Sequence, residues 1–385
     1  MNTLSNLMAE GIEKNIKDTT DTYKNLGKSL GNLDNWMQNP LDIFNNYFDF
    51  THQERKPLQW STENEVIIKS QAMNLLHFPN TTHEVTAKYP ILVSPPNAGH
   101  DSKLADFSPT QSLVRTLHSQ GFDVYVNEWL SATKEDSDLG IDSYVNFTHK
   151  SVEKIKSLHN VDKIHLLGQC QGGWQVSMYT SLHPENISSL VVAAAPINFH
   201  ADYGVMNVLV DNMKMEDFEK LTTKGYLAGA DMLKSFKMLQ PNEHEHLKYI
   251  KEYIMVLEQD KKAMDRTEHF SQWYDNPQNL ARRYYLEIVK NVFMDNCMAN
   301  GGFSIDGREI DLRNIKCPLV LIGGTKDHIT PPEQCFGMSE LVSTPQDQIH
   351  KFTVSAGHIG ALMGGSVLKN EYPKICDIMK ASEVN

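Results

Sequence analysis

The chain has 385 residues, 40% of them hydrophobic, which is enough for one large α/β domain with an insertion or for two domains. Its formal net charge of −12 argues against nucleic acid as the main partner. The five cysteines have no framework spacing and the 16 histidines are scattered, so we expect free thiols and no metal site. No apolar run has the length of a signal peptide or a transmembrane helix, and we therefore expect a cytoplasmic protein.

The first 60 residues are predicted to form a polar, helical extension. Apolar and aromatic side chains recur there at roughly helical spacing, with an interruption near Pro40. The stripe consists of Leu30, Leu33, Trp36, Met37, Ile43, Phe44, Tyr47 and Phe48. Such a stripe packs either on the core of the same chain or on another subunit or apolar surface, and the sequence leaves both interpretations open.

From about residue 61, short apolar strands alternate with helices, which predicts a mostly parallel sheet. The predicted strands are Glu65–Lys69, Leu75–Phe78, Pro90–Val93, Phe122–Val126, Ile164–Leu167, Leu190–Ala194, Leu319–Ile322 and Lys351–Val354. The predicted helices among them are Ser112–Ser119, Ile141–Leu158 and Trp174–Leu182.

The alternation stops between residues 198 and 306, where the sequence is helix-rich and contains many methionines and aromatic residues. An insertion of this size between two sheet strands predicts a helical cap over an active site. Its methionines and aromatic residues either line an acyl channel or form the cap's own core. The predicted α/β core therefore comprises residues 61–197 and 307–385.

Cys170 lies in the motif GQCQG, residues 168–172, between a predicted strand and a predicted helix. This is the pattern of a nucleophile elbow, G-x-S-x-G, with sulfur in place of the serine hydroxyl. A cysteine in an apolar stretch is often only a small buried hydrophobe. The glycines at the elbow spacing instead favour a thiol nucleophile for acyl transfer through a thioester.

Two further residues complete the predicted catalytic group. Asp327 follows the predicted strand Leu319–Ile322, and His358 follows the predicted strand Lys351–Val354. Nucleophile, acid and histidine occur in the chain order of α/β-hydrolase triads. A free thiol has a pKa of about 8.5, so an imidazole is needed to take its proton, and a carboxylate can fix the imidazole tautomer.

Other candidate residues surround this group. The backbone N–H of Gln171 is the expected first donor of an oxyanion hole, and the second is expected from the loop after Pro90–Val93, at or next to Asn97. His100 in that loop, His328 beside the acid, and Trp174 after the elbow are candidate substrate contacts.

These motifs resemble those of polyhydroxyalkanoate synthases over residues 85–375, most closely the shorter, two-component type. The matching segments are GQCQGG (168–173), WYDNP (273–277), NGG (300–302), KDHITPP (326–332) and GHIG (357–360). The resemblance implies that Cys170 takes the growing acyl chain from a 3-hydroxyacyl-coenzyme A thioester. It implies that His358 activates the thiol, and that Asp327 helps to activate the 3-hydroxyl group.

Two segments depart from the synthase pattern. The loop PPNAGHD, residues 95–101, lacks the Asn-Arg or Asn-Lys pair followed by aromatics, and its Gly-His resembles intracellular polyhydroxyalkanoate depolymerases. The segment WMQNP, residues 36–40, resembles the leader of one-component synthases, which leaves the need for a second synthase subunit open.

The sequence therefore predicts an α/β-hydrolase fold with a synthase-like acyltransferase activity. No metal or bound cofactor is expected, and coenzyme A enters only as the substrate carrier. The expected partners are the polyester chain, its granule surface, and either a second copy or a second subunit. The alternatives are an intracellular depolymerase or acyl thioesterase with the same three residues, and a non-catalytic protein of the granule surface.

Overall fold

The computed structural model describes residues 17–29, 40–52, 56–239 and 248–384. The described residues fall into two compact units. One is drawn from Met1–Leu58 and Asp231–Asn276, and the other from Gln59–Ala230 and Pro277–Asn385. The predicted cap at residues 198–306 is thus divided between the two units. The part of the apolar stripe at residues 30–39 lies outside the described residues.

Eight strands of the larger unit form one sheet: β1 Glu65–Lys69, β2 Met73–Phe78, β3 Ile91–Ser94, β4 Val124–Trp129, β5 Ile164–Gln169, β6 Ile187–Ala193, β11 Leu319–Gly324 and β12 Ile349–Val354. Their order across the sheet is β1-β2-β4-β3-β5-β6-β11-β12. The pairs β1–β2 and β2–β4 are antiparallel, and all the others are parallel. Four shorter strands form two small ribbons: β7 Tyr226–Leu227 with β8 Leu280–Ala281, and β9 Ser304–Ile305 with β10 Arg308–Glu309.

Helices connect these strands and make up the described part of the smaller unit. They are α1 (residues 17–29), α2 Pro40–His52, α3 Leu113–Ser119, α4 Ile141–His159, α5 Gln171–Leu182, α6 Val205–Asn212, α7 Met215–Lys220, α8 Gly229–Leu239, α9 Lys248–Leu257, α10 Lys261–Tyr274, α11 Arg282–Glu287, α12 Cys297–Asn300, α13 Pro332–Phe336, α14 His358–Met363, α15 Gly365–Asn370 and α16 Tyr372–Ala381. A π-helical segment, Ile288–Met294, continues α11.

The centre of the sheet explains where the functional residues lie. Strands β3, β5, β6 and β11 are buried at every position, as expected for parallel strands that are covered on both faces. Parallel strands end at the same edge of a sheet, and loops at that edge collect ligand-facing groups. The chain segments that follow β3, β5, β11 and β12 are therefore brought to one edge.

Two strand boundaries differ from those predicted from the sequence, one because of a hydrogen bond to the preceding helix and one because of the backbone conformation. Phe122 was expected to begin a strand, but its N–H donates to Leu117 O and closes the end of α3, so β4 begins at Val124. Ala194 was expected to end a strand, but its φ of 46° turns the chain out of the sheet after Ala193.

In the smaller unit, Tyr47 of the N-terminal stripe contacts another helix of the same chain. The Tyr47 ring on α2 meets the Tyr253 ring of α9 edge-on, with centroids 5.3 Å apart. The Tyr47 hydroxyl also donates to Tyr249 O at 3.5 Å. At Tyr47, then, the stripe packs on the same chain, whereas the Phe48 side chain is 49% exposed. None of the described helices has the length and apolar character needed to cross a bilayer.

Candidate active site

The turn at Cys170 has the geometry of a nucleophile elbow. Strand β5 ends at Gln169 and helix α5 begins at Gln171, so Cys170 alone forms the turn. Its backbone has φ 51° and ψ −117°, a conformation that costs a residue with a Cβ about 1–3 kcal/mol. Its N–H donates to Ala193 O at 2.7 Å, and its carbonyl accepts from Gly173 N at 2.8 Å. These bonds hold the side chain at the end of the strand.

The glycines around Cys170 are required by close packing. A Cβ at Gly168 would lie 2.5 Å from Val176 Cγ2, and one at Gly173 would also find no space. A Cβ at Gly172 would overlap the carbonyl oxygen of Ser94, the last residue of β3. The first turn of α5 therefore packs directly against the loop that follows β3.

The structure brings Cys170, His358 and Asp327 together. His358 Nε2 lies 3.1 Å from Cys170 Sγ, and His358 Nδ1 lies 2.7 Å from Asp327 Oδ2. The remaining oxygen of Asp327 accepts from the backbone N–H groups of Ile329, at 3.0 Å, and Thr330, at 2.9 Å. The carboxylate is thus fixed by three hydrogen bonds, and it holds the imidazole with one nitrogen toward the sulfur.

The charge state of His358 follows from these neighbours. Burial of the ring lowers the pKa of His358, but the negative charges of Asp327 and Cys170 outweigh this and hold it well above the usual 6.5. The imidazolium form is therefore favoured at neutral pH. It is the form that stabilises an adjacent thiolate and can later protonate a leaving thiolate.

The two residues predicted for an oxyanion hole lie at the start of α5 and in the loop after β3, and their role remains a prediction. Gln171 is the first residue of α5, so its N–H has no acceptor within the helix and lies at the positive end of the helix dipole. Asn97 is fully buried in the loop after β3. Within the described chain, neither amide atom of the Asn97 side chain has a hydrogen-bond partner.

The predicted substrate contacts lie in different surroundings. Trp174 is 1% exposed, and its ring lies 6.1 Å from the Tyr284 ring, so it packs inside the core next to the elbow. His100 is buried in the loop after β3. His328 follows Asp327, and its Nδ1 is 3.4 Å from Lys326 O. Their roles toward a substrate remain predictions.

A residue that the sequence did not single out connects the elbow to the histidine helix. The Gln169 side chain, fully buried at the end of β5, donates to Leu362 O in α14 at 2.8 Å. Since α14 begins with His358, this bond fixes the histidine relative to Cys170. Gln169 is therefore a positioning residue. In the sequence it was visible only as one of the variable residues of the elbow motif.

The chain is similar in sequence to known proteins. The sequence family described as "Protein of unknown function (DUF3141)" matches residues 45–384. The chain belongs to this family. The predicted resemblance to polyhydroxyalkanoate synthases is confirmed by relatives named poly(3-hydroxyalkanoate) polymerase subunit PhaC.

Three of these polymerase relatives illustrate the extent of the match. The protein from Haloferax mediterranei is 28% identical over 82% of this chain and 63% of its own length. The protein from Allochromatium vinosum is 29% identical over 71% of this chain and 75% of its own length. The protein from Synechocystis is 25% identical over 95% of this chain and 92% of its own length. The chain thus spans about two thirds of the Haloferax relative and nearly all of the Synechocystis one.

The fold is confirmed by solved structures. A putative lipase from Sulfolobus solfataricus superimposes with a TM-score of 0.55 at 14% identity, over 86% of this chain and 99% of its own. With the mostly parallel eight-stranded sheet, this shows the α/β-hydrolase fold. In the described part of this DUF3141 chain, no group of three or more histidine, cysteine, aspartate or glutamate side chains is arranged to hold a metal ion.

Selective alkylation tests the special position of Cys170. Burial raises the pKa of each of the four other thiols to about 12, so they stay protonated near pH 7.5. These thiols are Cys297, Cys317, Cys335 and Cys376. Cys170 instead bonds to His358, and we expect iodoacetamide to modify one thiol per folded chain, which peptide mass spectrometry should locate at Cys170. Cys170→Ala should take up none, and equal labelling of any other cysteine would contradict the assignment.

Proposed function

We propose that the chain is an acyltransferase of the polyhydroxyalkanoate synthase type, which polymerises 3-hydroxyacyl units through a covalent acyl-Cys170. One observation carries the proposal: the contact of Cys170 Sγ with a histidine that is fixed by a carboxylate, at 3.1 Å and 2.7 Å. The polymerase relatives, which align over 71–95% of the chain, support the choice of a hydroxyacyl substrate.

The first half-reaction loads the enzyme. His358 holds the thiol proton, and the Cys170 thiolate attacks the carbonyl carbon of a 3-hydroxyacyl-coenzyme A thioester. Negative charge develops on the carbonyl oxygen, where the backbone N–H of Gln171 and a backbone N–H of the loop at Asn97 stabilise it. The bond to the coenzyme A sulfur then breaks, and the His358 imidazolium protonates the leaving thiolate. The products are acyl-Cys170 and free coenzyme A.

The second half-reaction moves the acyl group to another hydroxyacyl unit. His358, now neutral, takes the proton of the attacking 3-hydroxyl group, whose oxygen forms an ester bond with the acyl carbon. The carbon–sulfur bond breaks, and His358 returns the proton to Cys170. Water could attack in the same way, so polymer forms only if the site keeps water from the thioester.

The acid and the base are shielded from solvent, whereas the nucleophile Cys170 is half-buried. The Asp327 side chain is 0% exposed and the His358 side chain 9%. A fully buried aromatic group, Trp129, Tyr144, Trp174 and Tyr284, also lines this part of the larger unit. Such surroundings leave little space for bulk water at the base.

A hydrolase is the second candidate, and the loop after β3 favours it. Its Gly99-His100 pair resembles intracellular depolymerases rather than synthases. The same thiol, histidine and oxyanion donors would then release a free hydroxy acid. The granule location and the partnership with a second copy or subunit belong to the synthase proposal. A protein that binds granules without turnover is the third outcome.

The product of one substrate separates these candidates. The purified protein is supplied with 3-hydroxybutyryl-coenzyme A, alone and with a synthase partner subunit, and free coenzyme A, polymer and free acid are measured. We expect coenzyme A release with polymer and little free acid. Stoichiometric free acid without polymer would establish the hydrolase instead. The absence of all coenzyme A release, with retained binding to polyester granules, would leave the non-catalytic interpretation.

A further inference from the structure

Several buried polar side chains near the elbow have atoms without a hydrogen-bond partner in the described chain, and three of these side chains lie next to one another. They are Asn97 in the loop after β3, Tyr144 in the first turn of α4 and Tyr284 in α11, and each is 0% exposed. The unpartnered atoms are both hydroxyls and both ends of the Asn97 amide. Buried polar groups are almost always hydrogen-bonded, and these three are adjacent to one another and to Cys170, which points to a polar group of the substrate as their partner.

The three side chains form one continuous group. The rings of Tyr144 and Tyr284 are stacked, with centroids 3.9 Å apart. Burial raises the pKa of Tyr144, and the nearby Asn97 amide partly lowers it, although the two groups do not meet in hydrogen-bond geometry. We call these three residues the Asn97 cluster.

Contacts on two sides join the Asn97 cluster to the nucleophile. On one side, the Tyr284 ring lies 6.1 Å from Trp174 on the helix that Cys170 begins. On the other side, Gly172 packs against the carbonyls of Ser94 and Pro95, three and two residues before Asn97. Trp129 donates to Pro95 O at 3.0 Å, and its ring lies 5.4 Å from Tyr144. These contacts surround the base of the elbow.

The protonation of the hydroxyls suits hydrogen bonding rather than acid–base chemistry. Burial raises the pKa of Tyr284 well above its ordinary value, and the nearby Tyr144 and Cys170 raise it further. Both tyrosines therefore stay neutral at physiological pH. They can each donate one hydrogen bond, while the Asn97 amide can donate and accept. That combination fits an alcohol, which needs both an acceptor and a donor.

We propose that the Asn97 cluster binds the oxygen on carbon 3 of the acyl unit at Cys170, and so selects 3-hydroxyacyl over unsubstituted acyl thioesters. This inference rests on the proposed function, since it assumes that an acyl group is carried by the thiol. The 3-oxygen lies two carbons from the thioester carbonyl, on the side away from the sulfur. A saturated acyl chain would leave the three polar side chains buried without partners, and sites of this kind discriminate strongly against such analogues.

The test compares two substrates and four proteins. Acylation of Cys170 in a single turnover is followed by coenzyme A release and by mass spectrometry of the intact protein, with 3-hydroxybutyryl- and butyryl-coenzyme A. The proteins are the unaltered chain, Tyr284→Phe, Tyr144→Phe and the control Tyr285→Phe. Tyr285 is the next residue on α11, but its ring faces Phe218.

We expect Tyr284→Phe and Tyr144→Phe to slow acylation by the hydroxybutyryl thioester about 10- to 100-fold and acylation by the butyryl thioester less than about 3-fold. Their melting temperatures should equal or exceed that of the unaltered chain, because each change removes an unpaired buried hydroxyl. Tyr285→Phe should retain the original substrate preference. If Tyr284→Phe does not fold, Tyr144→Phe decides by the same ratio.

Two other results would overturn the inference. An equal loss with both thioesters would assign the hydroxyls to the oxyanion or to packing, and no loss with either would remove them from the site. Both leave the proposed function intact. Failure of the unaltered chain to be acylated by either thioester would instead refute the proposed function, and the inference with it.

Discussion

Replacement of Cys170 by alanine is expected to abolish release of coenzyme A from 3-hydroxybutyryl-coenzyme A, with a loss of at least about 10³-fold. No other described thiol bonds to His358, so nothing can take over the covalent step. Cys170→Ser should also be severely impaired, because a hydroxyl is a much weaker acid than a thiol and must give its proton to the same imidazole. The initial rate of coenzyme A release measures both variants. Cys317→Ala, at a residue that is half-buried like Cys170, is the matched control and should retain activity.

Two substitutions at Cys170 can distinguish its contribution to catalysis from its effect on stability. Cys170 has a φ of 51°, which a glycine adopts without penalty. Cys170→Gly should therefore be as inactive as Cys170→Ala but more stable by about 1 kcal/mol in its free energy of unfolding. Urea denaturation of the two variants measures this difference. Activity in either variant would refute the covalent mechanism, and a less stable glycine variant would contradict the strained elbow.

The positions of Cys170, Asp327 and His358 could be predicted from the sequence for a physical reason. Each follows an apolar strand, and parallel strands place their carboxyl ends at one edge of the sheet. Chain order and strand pattern were thus enough to bring the three residues together. The close packing at Gly172 could be anticipated as well, because the elbow motif requires small residues there, but Ser94 as its neighbour could not.

The Asn97 cluster and Gln169 could not be predicted in this way. Tyr144 and Tyr284 are 140 residues apart, and their stacking depends on how α4 and α11 pack in the larger unit. In the sequence, Tyr144 belongs to an ordinary amphipathic helix and Tyr284 to a stretch rich in aromatic residues. A missing hydrogen bond is visible only when all neighbours of a buried atom are known.

Asp327→Asn should lower both half-reactions by about 10³- to 10⁴-fold. The resemblance to synthases assigns Asp327 to activation of the 3-hydroxyl group, but its surroundings favour action through His358. One carboxylate oxygen lies 2.7 Å from His358 Nδ1, and the other accepts from two backbone N–H groups. The side chain is 0% exposed, which leaves no open path to an incoming hydroxyl.

The two roles of Asp327 give different results in rapid-quench kinetics. If Asp327 acts through His358, single-turnover acylation of Asp327→Asn falls as far as polymer elongation does. If it acts on the hydroxyl alone, acylation stays near the original rate and acyl-Cys170 accumulates. Asp123→Asn is the matched control, since Asp123 also bonds to histidines, with His77 Nε2 at 2.9 Å and His159 Nε2 at 3.2 Å. It should leave both steps unchanged.

The pH dependence of alkylation provides an independent measurement of the same role. The negative charge of Asp327 is the larger of the two charges that raise the pKa of His358, so the neutral asparagine should let this pKa fall. A larger share of the imidazole would then be neutral at low pH, and the thiolate would less often have a positively charged neighbour. The rate of iodoacetamide labelling at pH 6, relative to pH 9, should therefore be lower in Asp327→Asn than in the unaltered chain. An unchanged ratio would show that His358 does not depend on Asp327 for its charge, and the carboxylate would then have to act elsewhere in the reaction.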